Sequence, residues 1–346
     1  MDSPLKFQEQ SKGFSFESVF DEQAGFPKEF LWPDLVSAQQ DLLEPPVDLE
    51  GFFEGDDEAT KQAANIIKDA CLSHGFFQVI NHGVDPDIIR DAENYMDHFF
   101  MLPSPEKLKA RRKPGSLCGY SGAHADRYAT KLPLERDTLF SSILGKDFEE
   151  TGMIYQKYCE AMMGLSFAIL ELLAISLGVD RKIYRKFFED GYSILRCNFY
   201  PPCQEPGNTL GTGPHCDSNS ITILHQDQVG GLEIFTDNVW QTIPPLKGAL
   251  IINIGDTFTA LSNGKYKSCL HRAMVNKHEQ RKSLAFFLSP REDKVVRPPQ
   301  ELVCSAGKRM YPDFTWLNLS RFVQNHYRAD DNTLQSFINW SQSVNT

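Results

Sequence analysis

The chain has 346 residues, of which 41% are apolar and 23% charged, a composition typical of a globular protein with a sizeable core. Its formal net charge of −11 argues against general nucleic-acid binding and against binding to an anionic membrane, although local basic groups can still bind an anionic ligand. The eight cysteines form no CxxC pair and no disulfide framework, which indicates reduced thiols and a cytoplasmic protein.

The N-terminal part of the chain predicts a tail followed by mostly helical structure. We assign residues 1–45 to a polar tail and lead-in without the apolar segment of a signal peptide, and 46–185 to an N-terminal helical region. Local patterns predict a helix over 58–73, a strand over 76–80, a helix that opens at Asp85-Pro86-Asp87, and a long helix over 148–177. The most apolar stretch, 162–179, contains Glu171 and is short for a membrane span, so we expect a buried core helix.

The pattern changes at Tyr192, where short β-rich runs alternate with Gly, Pro and Asn. Seven strands are predicted, over 194–200, 220–226, 232–236, 240–243, 249–254, 271–275 and 283–288. Many short strands at close spacing favour an antiparallel double sheet. We therefore predict a mixed α/β (α+β) fold, with a double-stranded β-helix (jelly-roll) core over 190–295 that is flanked by N- and C-terminal helices. The C-terminal helical segment covers 296–346.

Two histidines and one aspartate have the spacing of a non-haem Fe(II) centre. His215 and Asp217 are two residues apart, so in extended backbone their side chains point the same way. His271 joins them only if the sheet folds back on itself. Each residue alone is more commonly a polar loop residue or a core histidine. Together, two imidazoles and one carboxylate form a facial triad, which leaves three metal positions open for substrate and O2.

A second group of residues is suited to binding a carboxylate. Arg281 and Ser283 supply a guanidinium fork and a hydroxyl on one strand face, which together with an open metal site implies an oxygenase that consumes a 2-oxo acid. Arg196, Asn198 and Tyr200 share one face of an earlier strand. We predict that Tyr200 joins the clamp and that Asn198 flanks the metal. Arg196 either meets an acidic substrate or forms a structural ion pair.

These motifs resemble the plant Fe(II)/2-oxoglutarate-dependent dioxygenases. The resemblance covers roughly residues 45–335 and rests on Gly75-Phe-Phe-Gln-Val-Ile-Asn-His-Gly, Asn198-Phe-Tyr-Pro-Pro-Cys, His215-x-Asp, His271-Arg-Ala and Arg281-x-Ser. It implies that His215, Asp217 and His271 bind Fe(II), and that Arg281, Ser283, Tyr200 and Asn198 bind 2-oxoglutarate. O2 is then the second co-substrate, and ascorbate is the expected reductant.

Within that family the chain resembles the gibberellin 20-oxidases, through Leu210-Gly-Thr-Gly-Pro-His-Cys-Asp and the segment 221–232. The resemblance implies stepwise oxidation of carbon-20 of twenty-carbon gibberellin precursors to alcohol and aldehyde, followed by loss of that carbon to give a nineteen-carbon lactone. Such substrates are diterpenoid carboxylic acids, which suits an inward Arg196. One segment departs from the group, since Lys131-Leu-Pro-Leu-Glu-Arg stands where Leu-Pro-Trp-Lys-Glu is usual, and Leu134 replaces the tryptophan.

Arg196, Leu134 and Phe235 are the candidate substrate-binding residues, and Phe287 is a further apolar candidate. The departure at Leu134 keeps open the same oxygenase chemistry at another gibberellin position, or on another plant small molecule such as a flavonoid. A catalytically silent jelly roll that binds a hormone or a partner is a remote alternative, because a pure binding module needs neither iron ligands nor a co-substrate clamp. The sequence does not predict an oligomeric state.

Overall fold

Two sheets face each other, built mostly from strands in the C-terminal half of the chain, and helices cover the larger sheet. The structure is a computed structural model that describes residues 31–32, 35–111, 119–120, 144–326, 330 and 332–344. The predicted substrate residue Leu134 and most of the predicted tail lie outside the described residues.

The strands, in chain order, are β1 (Gln40–Asp41), β2 (Val47–Asp48), β3 (Phe76–Ile80), β4 (Tyr192–Tyr200), β5 (Leu210–His215), β6 (Ile221–Gln226), β7 (Leu232–Thr236), β8 (Val239–Ile243), β9 (Leu250–Ile254), β10 (His271–Met274), β11 (Arg281–Ser289), β12 (Val295–Val296) and β13 (Phe314–Thr315). A six-stranded sheet has the order β2-β3-β9-β6-β11-β4, a five-stranded sheet has the order β1-β8-β7-β10-β5, and β12 and β13 form a separate ribbon. Among the strand pairs in the described part of the chain, only β1–β8 and β2–β3 are parallel. This arrangement confirms the predicted jelly-roll core.

The helices are α1 (Glu50–Glu54), α2 (Asp57–Ser73), α3 (Pro86–Met101), α4 (Ser104–Lys109), α5 (Glu149–Leu177), α6 (Ile183–Phe188), α7 (Asp256–Leu261), α8 (Gln300–Ala306), α9 (Trp316–Asn325) and α10 (Thr333–Val344). Capping side chains precede α2 and α3, two of the predicted helices. Asp56 accepts hydrogen bonds from the first turn of α2, and Asp85 does so for α3, in which Pro86 occupies the first position.

The main apolar core lies between the helices and the outer face of the six-stranded sheet. Ile67 of α2, Met162 of α5, and Leu195, Leu284 and Phe286 of the sheet belong to this fully buried cluster. A smaller cluster lies between the two sheets and contains Phe76, Leu232, Ile234, Ile243, Ile251 and Cys269. It holds the sheets together beside the candidate site, because the Phe76 ring lies 5.3 Å from that of His271.

Helix α5 belongs to the core. By length and composition alone, Lys146–Leu177 is long and apolar enough to cross a membrane, and it is the one such helix in the described part of the chain. However, 61% of its apolar stretch is buried inside the protein, where it packs against α2 and α3. Its one buried acid, Glu171, is paired with Arg181 and Arg185 at 2.7 Å each. These contacts agree with the predicted core helix.

Candidate active site

The sheet register brings the two candidate metal-binding histidines together. β5 and β10 are antiparallel, and His215 lies directly opposite His271, so both side chains occupy the inner face. Asp217 follows β5, and its Oδ1 lies 3.5 Å from His215 Nε2 and 3.8 Å from His271 Nε2. The ligand atoms of the three residues lie within 4.8 Å of one another, and no other such group of three occurs among the described residues.

Backbone carbonyls orient both imidazoles. His215 Nδ1–H donates to the Gly213 carbonyl at 2.8 Å, and His271 Nδ1–H donates to the Cys269 carbonyl at 3.1 Å. Because a carbonyl can only accept, each Nδ1 carries a proton, and in a neutral imidazole this leaves the lone pair on Nε2. Both Nε2 atoms are therefore available to bind a metal, and the two backbone carbonyls fix the tautomer of each imidazole.

Asp217 is oriented by a pair of polar side chains in the six-stranded sheet. Its Oδ2 accepts hydrogen bonds from Thr222 Oγ1 at 2.7 Å and from Asn253 Nδ2 at 2.9 Å, which leaves Oδ1 beside the imidazoles. Thr222 and Asn253 lie opposite each other on β6 and β9. Burial would raise the pKa of Asp217, but His271, His215 and these hydrogen bonds together lower it, so the carboxylate stays ionised.

The protonation states suit a divalent metal. Burial and the nearby His271 lower the pKa of His215 to about 4, so its imidazole is neutral at neutral pH. Two imidazoles and one carboxylate whose ligand atoms lie this close together are the donor set that Fe(II) accepts in a facial triad. The residues present therefore fit an Fe(II) ion.

Arg281 is a buried cation on the inner face of β11, and only 2% of it is exposed. Its Nε–H donates to the Gly230 carbonyl, and its Nη2 donates to Gln226 Oε1 at 3.2 Å. No carboxylate of the described residues forms an ion pair with it. A buried charge without a counter-ion costs several kcal/mol, on the order of 3–5 where a buried pair has been broken. The guanidinium therefore fits an anionic ligand, such as the distal carboxylate of 2-oxoglutarate.

The other predicted clamp residues lie beside Arg281 because β4 and β11 pair in register. Tyr200 lies opposite Arg281, whose Cζ is 5.3 Å from the centre of the tyrosine ring, and Asn198 lies opposite Ser283. Asn198 Nδ2 donates to Ser283 Oγ at 3.1 Å. Gly211 permits the tyrosine to lie flat against β5, because a Cβ at that position would be 2.6 Å from the Tyr200 ring.

Arg196 also occupies the inner face, opposite Ala285. It forms no ion pair with a described carboxylate, so the structural ion pair considered from the sequence is not found in the described part of the chain. Its positive charge contributes to the low pKa of His215, which indicates that the guanidinium lies near the triad. The structure therefore brings Arg196 together with the candidate metal-binding residues.

Phe235 lies on the opposite side of the smaller sheet from the triad. Ile234 pairs with His271 and takes the inner position, so the adjacent Phe235 points outward. It packs against Trp240, with ring centres 5.3 Å apart, and beside Cys216. Phe287 is on the inner face, where it lies between Ile194 and Thr222 in the register of the larger sheet. Phe287, rather than Phe235, is thus placed to contact a substrate.

Sequence reasoning missed the partners of the predicted site residues. Thr222 and Asn253 orient Asp217, and Gln226 and Gly230 orient Arg281. Three of these have a recognisable signal, since they are polar side chains at inner positions of largely buried strands. Such residues need partners inside the fold, so their presence in an apolar run points to a polar site.

The fold and this site are those of the Fe(II)- and 2-oxoglutarate-dependent oxygenases. Residues 191–290 match the model of the 2OG-Fe(II) oxygenase superfamily. Residues 45–152 match the model described as non-haem dioxygenase in morphine synthesis N-terminal.

Curated relatives narrow the class. The chain is 53% identical over 333 residues to gibberellin 20 oxidase 2 of Oryza sativa subsp. indica, an alignment that covers 91% of this chain and 85% of the relative. It is 50% identical to gibberellin 20 oxidase 2 of Arabidopsis thaliana, with 93% of this chain and 89% of the relative covered. The chain therefore belongs to the gibberellin 20-oxidase family of 2OG-Fe(II) oxygenases.

Solved structures share the fold. The crystal structure of JOX2 in complex with 2OG, Fe and JA has a TM-score of 0.81 and 32% identity, and the alignment covers 93% of this chain and 96% of JOX2. The dioxygenase for auxin oxidation in rice has a TM-score of 0.72 and 27% identity, with 85% of this chain and 99% of that chain covered. These likenesses agree with an oxygenase that uses Fe(II) and 2-oxoglutarate.

Proposed function

We propose that this protein is a gibberellin 20-oxidase that converts twenty-carbon gibberellin precursors, through the carbon-20 alcohol and aldehyde, to nineteen-carbon lactones. The relatives at about 50% identity support the assignment. The structural observation that carries it is Arg196, a cation beside the triad without a carboxylate partner among the described residues. A substrate with a carboxylate would supply the missing partner.

Each candidate residue has a role in this proposal. His215, Asp217 and His271 would hold Fe(II), which would supply the oxidation of an unactivated C–H bond by O2, coupled to conversion of 2-oxoglutarate to succinate and CO2. Arg281, Ser283 and Tyr200 bind the distal carboxylate of 2-oxoglutarate, and Asn198 lies between this clamp and the metal. The clamp residues fix the orientation of the co-substrate and exclude water from its charged end.

The inner face of the larger sheet combines one cation with an apolar side chain. Arg196 binds a carboxylate of the diterpenoid acid, and Phe287 supplies apolar contact for its ring system. Leu134 remains a candidate substrate contact on the basis of the sequence. We further propose that the enzyme works in the cytoplasm with ascorbate as reductant, because the scattered cysteines suit a reducing compartment.

The proposal is tested with purified protein, Fe(II), 2-oxoglutarate, O2 and ascorbate, with a panel of twenty-carbon gibberellin acids and one flavonoid. Products are followed by mass spectrometry, and succinate is quantified in parallel. Sequential alcohol, aldehyde and lactone products would support the 20-oxidase function, and Asp217→Ala serves as the inactive control. Oxidation of the flavonoid alone, or of a gibberellin at another carbon, would reject the proposed substrate and retain the oxygenase. A protein that binds a gibberellin but never forms succinate would be the silent binding module.

A further inference from the structure

Gln226 is a buried polar side chain at the end of β6, and 7% of it is exposed. Its Oε1 accepts a hydrogen bond from Arg281 Nη2 at 3.2 Å. Because a guanidinium can only donate, this contact fixes which end of the amide faces Arg281. The amide nitrogen, Nε2, therefore takes no part in the contact with the guanidinium.

That nitrogen has no hydrogen-bond partner among the described residues. A buried N–H group without an acceptor costs about 1–3 kcal/mol, so such groups are rare unless a ligand or water completes them. Gln226 carries two such hydrogens on one atom. The Gln226 side chain thus has an unused hydrogen-bond donor next to Arg281, a cation without an ion-pair partner among the described residues.

The register places this donor beside the candidate clamp. Gln226 lies directly opposite Ser283, and Ser283 lies opposite Asn198, so the three side chains form one row across β6, β11 and β4 on the inner face. Directly opposed residues of antiparallel strands have Cβ atoms about 4.5–5.5 Å apart. A carboxylate held between Arg281 and Ser283 is therefore within reach of the Gln226 amide.

We propose that Gln226 is a further residue of the co-substrate site. Its Oε1 orients Arg281, and its Nε2 donates a hydrogen bond to the distal carboxylate of 2-oxoglutarate. The proposal rests on the clamp formed by Arg281 and Ser283. It does not depend on which organic substrate the enzyme oxidises, so it can be tested without a gibberellin.

The first test measures co-substrate affinity directly by calorimetry on the Mn(II)-loaded full chain under anaerobic conditions. Gln226→Met keeps the side-chain length and removes both polar atoms. Gln241→Met is the matched control, since Gln241 is a buried glutamine of the smaller sheet. We expect Gln226→Met to bind 2-oxoglutarate about tenfold to a hundredfold more weakly, the value of one hydrogen bond to a charged group, and the control to bind normally.

A second ligand shows where the effect acts. 2-Oxopentanoate has the same chain length and metal-chelating end as 2-oxoglutarate but lacks the distal carboxylate. We expect wild type and Gln226→Met to bind it with equal affinity. An equal loss for both ligands would place the effect of Gln226 at the metal end or in the fold and would overturn the proposal.

A third measurement separates donation from the mere orientation of Arg281. Wild-type protein is loaded with diamagnetic Zn(II) and labelled with 15N in its glutamine side chains. The Gln226 NH2 signals are assigned as those missing from Gln226→Met. If that variant does not fold, they are assigned by substituting the other glutamines one after another. We expect 2-oxoglutarate to shift one of these protons downfield and 2-oxopentanoate to leave it in place. NH2 signals that 2-oxoglutarate does not move would overturn the proposal.

Discussion

His215 lies directly opposite His271 on neighbouring antiparallel strands, and their ring centres are 4.2 Å apart. Two residues that are distant in sequence are thus placed side by side by backbone pairing alone. Asp217 completes the group from the turn after β5, where Thr222 and Asn253 hold it. The geometry of the candidate metal site therefore depends on the register of both sheets.

Thr222→Val should weaken metal binding. The substitution keeps the shape of the side chain and removes the hydrogen bond to Asp217 Oδ2, which frees the carboxylate to rotate. Loss of such a partner of a metal ligand typically lowers metal affinity about tenfold to a hundredfold. Competition titration with Mn(II) or Co(II) checks this, and Thr60→Val, a buried threonine in α2, is the matched control. Equal affinities for the two variants would contradict a positioning role for Thr222.

Arg281→Lys should raise the KM for 2-oxoglutarate about tenfold to a hundredfold, because a compact ammonium replaces the planar fork whose separate nitrogens reach Gly230 and Gln226 and can bind a carboxylate in bidentate fashion. Succinate formation at varied 2-oxoglutarate concentration measures the effect. Arg291→Lys is the control, since Arg291 is an exposed arginine paired with Asp190 and Asp293. An unchanged KM would remove Arg281 from the clamp.

Apolar runs made most of the longer strands predictable, and the failure at β5 has a physical reason. The runs over 76–80 and 232–236 coincide with β3 and β7. β5 was not predicted as a strand, because Leu210–His215 contains two glycines and a proline, which have low strand propensity. Its conformation is fixed by pairing with β10, and that information is not local.

The candidate site was predictable in its charged residues and less so in their surroundings. Residue type and spacing indicate the triad and the clamp, because few other functions need that combination. Phe235 was predicted to contact the substrate because it is apolar, but the alternation of side chains along β7 puts its neighbour Ile234 on the inner face. The roles of Thr222, Asn253 and Gln226 depend on cross-strand pairing, which no local pattern contains.

Arg196→Met should weaken binding of a gibberellin acid and spare the co-substrate. Methionine keeps much of the apolar stem and removes the charge, so the KM for the acid should rise about tenfold to a hundredfold. The KM for 2-oxoglutarate should not change. The methyl ester of the same gibberellin is the matched ligand, since wild type and variant should differ little toward it. A variant that discriminates acid from ester as well as wild type does would exclude Arg196 from substrate binding.

Asp256→Asn should stabilise the protein in a pH-dependent way. Asp256 begins α7, is 3% exposed, and its Oδ2 has no hydrogen-bond partner among the described residues. Burial, together with the nearby negative charge of Asp217, raises its pKa to about 7. The unfolded chain has the ordinary value of about 3.9. The pKa of Asp256 is therefore higher in the folded than in the unfolded protein. The contribution of this group to stability is fully present below about pH 4 and is lost as the pH rises to about 7.

An asparagine at this position does not ionise, so the free energy of unfolding of Asp256→Asn relative to wild type should increase between about pH 4 and pH 7 and stay constant above that range. A shift of about three pKa units corresponds to a gain of up to about 4 kcal/mol at high pH. Urea unfolding of the metal-free protein at pH values from about 5 to 8 measures the difference. Asp41→Asn, which replaces an exposed acid on β1, is the control. A stability difference between Asp256→Asn and wild type that does not vary with pH would mean that Asp256 titrates normally in the folded protein.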